Sequence, residues 1–313
     1  MTSEKIQKYM VRFYIGLFFL FLFGPLILMG MSAFNTPKFP QAFPIEELTF
    51  QWFSVLANDS KMIDGLINSL WIGIGVVCLA VPIGLAAALV MSQIHSRLRS
   101  VYYTIVVSPV LMPGVILGIS TLVFWDRLGV WVDADYESVF YSGIFLTVIG
   151  QSTFISAYCM LVFLARLQRF DRTQEEAALD LGATHVQVFW KILIPFLRPA
   201  IGSAAVLAFL TSFENYNTTL FTIQAESTLT TVLAGKVRLG TDPSLSALAV
   251  IIILVTLVGA RLTDVTEVVV GDAIVEADVA DDATLTFTTP SAADAGAPDG
   301  GPVTVRAVAG NLQ

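Results

Sequence analysis

Charge is scarce in this sequence. Only 13% of its 313 residues are charged against 55% hydrophobic, and the mean hydropathy is +0.75. That balance excludes an ordinary soluble domain and makes a lipid bilayer, not a water-excluded core, the expected solvent. Histidine and cysteine are scarcer still, at two of each. His95 and His185 have no paired ligand and read as solvated surface residues. Cys78 and Cys159 fall inside apolar stretches with no second thiol or imidazole at ligand spacing, so burial as small hydrophobes is expected and neither a disulfide nor a metal site is indicated. No Gly-x-x-x-x-Gly-Lys-Ser/Thr loop occurs, which leaves ATP, where it is used, to a separate chain. No catalytic Ser-His-Asp or carboxylate-pair spacing supports a membrane enzyme, and no cluster of acids or histidines does so either.

What is present is a series of long apolar runs. A helix needs about 20 such residues to cross about 30 Å of hydrocarbon. Six stretches qualify: 11–34, 66–94, 101–125, 139–165, 196–221 and 245–262. The first could also be a secretory signal peptide, since Lys5, Lys8 and Arg12 precede it, but it is longer than the usual apolar region and lacks a clear small-residue cleavage site. With residues 1–10 on the cytoplasmic side, eleven basic residues fall in inner segments and five in outer ones. Both termini are then inside.

The net charge of −8 resides in the tail, where nine acids from Asp264 to Asp299 face Arg306 alone; residues 1–261 are neutral. The stretch from Pro290 to Pro302 is rich in Ala, Gly, Pro, Ser and Asp and reads as disordered. Upstream, Val265 to Phe287 mixes Val and Thr with acids, which permits a short strand or two. Residues 263–313 are therefore set apart from the 11–262 body, either as an acidic cytoplasmic tail or as a C-terminus unrelated to that body.

The longest inner loop, 166–198, carries the most informative pattern. Thr173 is placed as an N-cap, Glu175 and Glu176 occupy a first turn, Ala177 to Leu181 favour helix, and Gly182 is placed to stop it. Nine residues after Gly182 come Ile192, Leu193, Ile194 and Pro195. This segment resembles the conserved cytoplasmic loop of bacterial ABC-importer permeases: Glu-Ala-Ala, three residues, Gly, nine residues, Ile-x-Leu-Pro. Glu176, Ala177, Ala178, Gly182, Ile192 and Pro195 fall on that pattern, while Ile194 stands where Leu is usual. Asn68-Ser69-Leu70, Ser108-Pro109, Met112-Pro113-Gly114, Thr241-Asp242-Pro243 and Ala247-Leu248-Ala249 extend the resemblance to the spermidine/putrescine branch. It covers about residues 1–260 and does not reach the tail.

The resemblance implies an all-α polytopic protein with the six-helix type I importer permease fold, in a bacterial or archaeal inner membrane. Its loop would be a coupling helix, with Glu176, Ala177, Ala178, Leu181, Gly182, Ile192 and Pro195 serving ATPase coupling. Implied partners are ABC ATPase subunits that hold ATP and Mg, a second permease that is either identical or related, and an extracytoplasmic solute-binding protein. A channel or secondary transporter is the rival class, and it has no reason to carry this loop.

A translocation path is suggested by Ser212, Glu214, Asn215 and Tyr216, a polar patch toward the outer half of the fifth run. Glu214 is the only acid within an expected span, and an intramembrane carboxylate is a functional candidate because leaving it in lipid costs at least about 2.5 kcal/mol. It would suit a passing ammonium group; a purely structural hydrogen bond is the other reading. Pro113, with Pro109 and Gly114, breaks the third run, either as a kink beside the path or as an ordinary membrane-helix proline. A polyamine is the favoured cargo, with an inorganic anion or iron as the alternative.

Overall fold

The computed structural model describes residues 3–262 except Thr241, together with five short segments of the tail. Twelve α-helices follow one another: α1 Ser3–Ala33, α2 Gln51–Ala57, α3 Ser60–Gln93, α4 Ser96–Leu111, α5 Gly114–Trp131, α6 Gly143–Leu167, α7 Thr173–Asp180, α8 His185–Val188, α9 Ile194–Phe213, α10 Thr219–Thr222, α11 Leu229–Leu239 and α12 Ser244–Leu262. A π-helical turn, Phe189–Leu193, joins α8 to α9 into one rod. The chain divides into two compact units, residues 34–245 and residues 1–33 with 246–313.

Among the described residues, five helices are long and apolar enough to cross a membrane: Gln7–Ala33, Ser60–Gln93, Gly114–Trp131, Gly143–Leu167 and His185–Phe213. A shorter apolar helix, Ser244–Thr256, stands where the sixth run was expected. At 1.5 Å per residue, the 34 residues of α3 rise about 51 Å, well beyond the hydrocarbon, whereas the 18 of α5 barely span it.

Two expected spans are built differently. The third run is two helices, because the Pro113 ring disfavours helical backbone at Met112 and offers no N–H to the Pro109 carbonyl. Met112 is accordingly extended, with φ −79° and ψ 138°, and its own N–H reaches Pro109 O at 3.2 Å. Pro113 then starts α5 as its N-cap. The fifth run was expected to continue to Phe221 but ends at Phe213. Asn215 Oδ1 accepts the N–H groups of Thr218 and Thr219 at 3.2 and 3.3 Å, opening a fresh turn in place of continuing the old one.

The core of the 34–245 unit is α3, α6 and α9. Without water to drive helices together in lipid, close backbone approach through small residues has to do so. Leu197, Ala200, Ala204, Ala208 and Ser212 form a buried stripe along α9 at three- and four-residue spacing. Ile72, Val76, Ala80 and Ala88 of α3 meet Ile155, Cys159, Met160 and Phe163 of α6 in the same cluster. Cys159 is buried as expected. Cys78 is exposed instead, on the side of α3 away from that core.

Three further clamps fix the ends of these helices. Asn68 donates to Ser227 O at 2.9 Å and Ser69 accepts the Leu229 N–H at 2.9 Å, pinning the start of α11 to α3. Asp59 caps α3 through the Met62 N–H and pairs with Lys236 of α11 at 2.5 Å, and that Lys236 hydrogen bond is the main reason its carboxyl lies below the ordinary value. Buried Asn35 binds the loop before α2 with all its polar atoms, donating to Gln41 O and Pro44 O and accepting from Thr36 and Glu46, while its carbonyl takes the Trp52 indole N–H at 2.8 Å.

In the tail, β1 Glu267–Val270 pairs antiparallel with β2 Ala273–Glu276. A second sheet orders β3 Asp278–Asp281, β4 Thr284–Thr288 and β5 Thr304–Val308. The acidic, Val- and Thr-rich segment thus holds more strand than its mixed composition suggested. The stretch expected to be disordered, Pro290 to Pro302, lies outside the described residues.

Candidate functional site

The helix of the 166–198 loop forms as α7, but its capping differs from expectation. Thr173 is the first helical residue, and its N–H is taken at 3.0 Å by Asp171 Oδ1. That bond holds the exposed Asp171 carboxyl below its ordinary value. Gly182, at φ +88°, ends the helix in the left-handed region that glycine enters without a Cβ penalty. Its N–H reaches Leu179 O at 2.9 Å and the Ala183 N–H reaches Ala178 O at 3.0 Å, the paired bonds of a Schellman cap. Thr184 and Gln187 then form a capping box that launches α8.

The π turn follows from Pro195, which is placed in the first turn of α9. Its ring would crowd the Lys191 carbonyl in regular α geometry, and the wider turn relieves this. Ile192 and Pro195 are half-buried where the rod enters the core, so they set the stance of the loop and do not form its outer face.

No side chain of α7 is buried. Glu176, Ala177 and Gly182 are exposed, Ala178 is half-exposed, and Leu181 is 90% exposed; Val186 and Trp190 just downstream are also bare. Behind α7 lies a cleft of about 320 Å³ between it and the C-terminal ends of α3 and α6, lined by Ser92, Gln93, Arg172, Glu175 and Glu176 among others. Arg172 crosses it and donates to Ser92 O at 2.8 Å. Arg166 donates to Phe196 O and lies 4.4 Å from that ring centre, while Phe170 packs on the same ring. The helix is therefore tethered at its N-terminal side to α3 and α9 and presents a small, shallow apolar face outward. Arg172 was not anticipated, because nothing in sequence marks a partner eighty positions away.

At the other end of α9, the polar patch is drawn together. Ser212 is buried and donates to Gln151 Oε1. The amide of Gln151 donates to Thr219 Oγ1 at 2.8 Å, and Thr219 in turn donates to Asn215 O at 2.9 Å. Thr147 and Thr222 share a hydrogen bond one turn away. Tyr216 accepts from Arg238 at 3.2 Å. The α4–α5 break joins this group, since a Cβ at Gly114 would lie 3.0 Å from Asn217 Cβ and 3.1 Å from Thr218 Oγ1. Pro113, exposed beside it, thus belongs to the same neighbourhood.

Glu214 is corrected most. It is the exposed C-cap of α9 and not an acid within the helix. It stands at the negative end of a 20-residue helix dipole above the buried amide–hydroxyl network. Gln151 and Thr147, buried in α6, were missed; a lone amide in an apolar run was the available signal.

Nothing in this arrangement resembles a reaction centre: the network is neutral, and among the described residues no group of His, Cys, Asp or Glu could hold a metal ion. The fold compares with solved transporters. The crystal structure of a bacterial ABC transporter involved in the import of the acidic polysaccharide alginate matches with a TM-score of 0.62 at 16% identity, over 85% of this chain and 99% of that one. A second alginate transporter structure, in complex with a pentasaccharide-bound periplasmic protein, matches with a TM-score of 0.61 at 17% identity, over 83% and 92%. In sequence, the chain is 30% identical over 237 residues to the putrescine transport system permease protein PotI of Escherichia coli K12, covering 75% of this chain and 82% of the relative. It is 26% identical over 239 residues to the spermidine/putrescine transport system permease protein PotC of the same strain, covering 76% and 86%. Residues 80–267 match the model of the binding-protein-dependent transport system inner membrane component. The chain belongs to that family and is a multi-pass permease subunit of an ATP-driven importer, not an enzyme.

Proposed function

We propose that this permease forms one part of a translocation path for a polyamine. The observation that carries the cargo reading is Glu214, an exposed carboxylate at the C-terminal end of α9, flanked by half-buried Asn215 and Tyr216. A carboxylate, a helix C-terminus and an aromatic ring each favour an ammonium group, through ion pairing, dipole and cation–π attraction respectively. Ser212 and Pro113 complete the candidate path, the first by anchoring the helix end through Gln151 and the second by opening the backbone opposite it. The names of the two Escherichia coli relatives, for putrescine and for spermidine and putrescine, support the same class.

In this reading the α7 end and both termini face the cytoplasm, following the excess of basic residues there. Glu176, Ala177, Ala178, Leu181 and Gly182 form the face received by an ABC ATPase subunit, with Ile192 and Pro195 setting its position. ATP and Mg are held by that partner, and this chain binds no cofactor. A loaded binding protein docks at the opposite end, and a second permease, identical or related, completes the path.

The test is putrescine uptake by the assembled importer in proteoliposomes. Glu214→Gln lowers uptake about tenfold, the scale of one charge-assisted contact, while stimulated ATP hydrolysis persists. Uptake at the native rate in that variant would return Glu214 to a structural role.

A further inference from the structure

A second feature suited to amines is lined by residues other than Glu214 and its neighbours. Between α5 and the segment 136–141 is an open cavity of about 430 Å³, bordered by Asp126, Tyr136, Phe140, Tyr141, Phe221 and Gln224. That volume lies within the range of small-molecule sites. Part of its wall is set by ring packing. Tyr136 and Tyr141 stack at 4.8 Å and 8°, and Phe140 leans on Trp125 at 5.7 Å. Gly129 lets this layer sit flat on α5, since a Cβ there would come within 2.8 Å of the Tyr141 hydroxyl and 3.3 Å of Phe140 Cβ. Gln224 closes one side at φ +54°, a left-handed conformation that a non-glycine residue adopts at some energetic cost.

Asp126 supplies the charge. Among the described residues its carboxylate has no hydrogen bond and no ion pair. Arg127 follows it, but adjacent helical residues do not face one another. One exposed, unpaired carboxylate at a cavity bordered also by Tyr136, Phe140, Tyr141 and Phe221 suits an organic ammonium group, which gains a charge-assisted hydrogen bond from the acid and quadrupole attraction from an aromatic ring. An anion meets repulsion there, and a bare metal ion meets one carboxylate where it needs several oxygens.

We propose that this cavity is a binding site for the ammonium end of an organic amine, separate from the Glu214 path. The choice of putrescine as probe rests on the polyamine reading above; the site itself does not.

The experiment is equilibrium binding of radiolabelled putrescine to the full chain in lipid nanodiscs, without binding protein, in a Glu214→Gln background. Saturable binding is expected there, weakened about tenfold by Asp126→Asn and several-fold by Tyr136→Ala. Tyr136 is 88% exposed, so its truncation leaves the fold intact should the Asp126 variant misfold. Absence of saturable binding, or equal binding in both variants, overturns the site. Putrescine uptake is measured in parallel. Uptake without binding at the cavity removes this proposal and leaves the cargo reading standing, whereas binding at Asp126 without uptake of any polyamine supports the site and removes the cargo reading.

Discussion

Ala177→Trp leaves the chain folded in the membrane, sustains ATP hydrolysis by the partner ATPase, and lowers uptake at least about tenfold. The fold survives because Ala177 is exposed on a helix with no buried side chain, so an indole there meets none of the chain's own core. In the proposed coupling role the face around it is shallow: Ala177 and Ala178 would let a partner's backbone approach closely, and an indole would hold it off. Overpacking of a fitted contact costs about 1–3 kcal/mol, and about 1.4 kcal/mol is already tenfold. Displacing α7 also disturbs its tether, since Arg172 holds the segment before it to the last turn of α3 through Ser92 O. The measurement is ATP hydrolysis and putrescine uptake in one preparation of proteoliposomes, with membrane abundance checked by immunoblot. Native uptake in this variant removes the coupling role from α7.

That loop was legible in sequence because its signals are local. Two acids, helix formers and a stop glycine lie within ten residues, and the Schellman cap at Gly182 follows from backbone sterics alone. Its N-cap was misplaced by one residue: Arg172 stands there with no side-chain cap bond, and Asp171, just before it, takes the Thr173 N–H instead. Apolar runs likewise gave five of the six expected spans but not all of their interruptions. Pro113 announced a break in the third, while the early end at Phe213 depends on Asn215 capturing two N–H groups that follow it. Side-chain direction was illegible for single residues: Cys78 and Cys159 sit in similar apolar surroundings along the chain, yet one faces outward and the other the α9 stripe. The Gln151 network and the Asp126 cavity join residues up to about a hundred positions apart, and only tertiary packing reveals them.

Gly84→Val prevents the chain from accumulating in the membrane, and Gly84→Ala lowers its melting temperature. Gly84 lies where α3 crosses α6, the broadest helix contact among the described residues. A Cβ there would fall 2.5 Å from Cys159 Cβ, 2.7 Å from Ser156 O and 2.9 Å from Met160 N. Two of those atoms are backbone, so no side-chain rotation makes room and the helices must separate. Separation undoes the small-residue packing of Ala80 and Ala88 against α6, which in lipid has no hydrophobic effect to replace it. Overpacking by even one methyl costs about 1–3 kcal/mol, and the two further methyls of valine bring the cost to the scale of the about 5–15 kcal/mol that holds a marginally stable fold together. Gly202→Val is the control, because α9 offers nothing within 4 Å of the added Cβ there and the residue is exposed. Abundance is read by immunoblot of membranes and stability by thermal melting in detergent. Native abundance and melting for Gly84→Val would mean that α3 and α6 do not cross at this point.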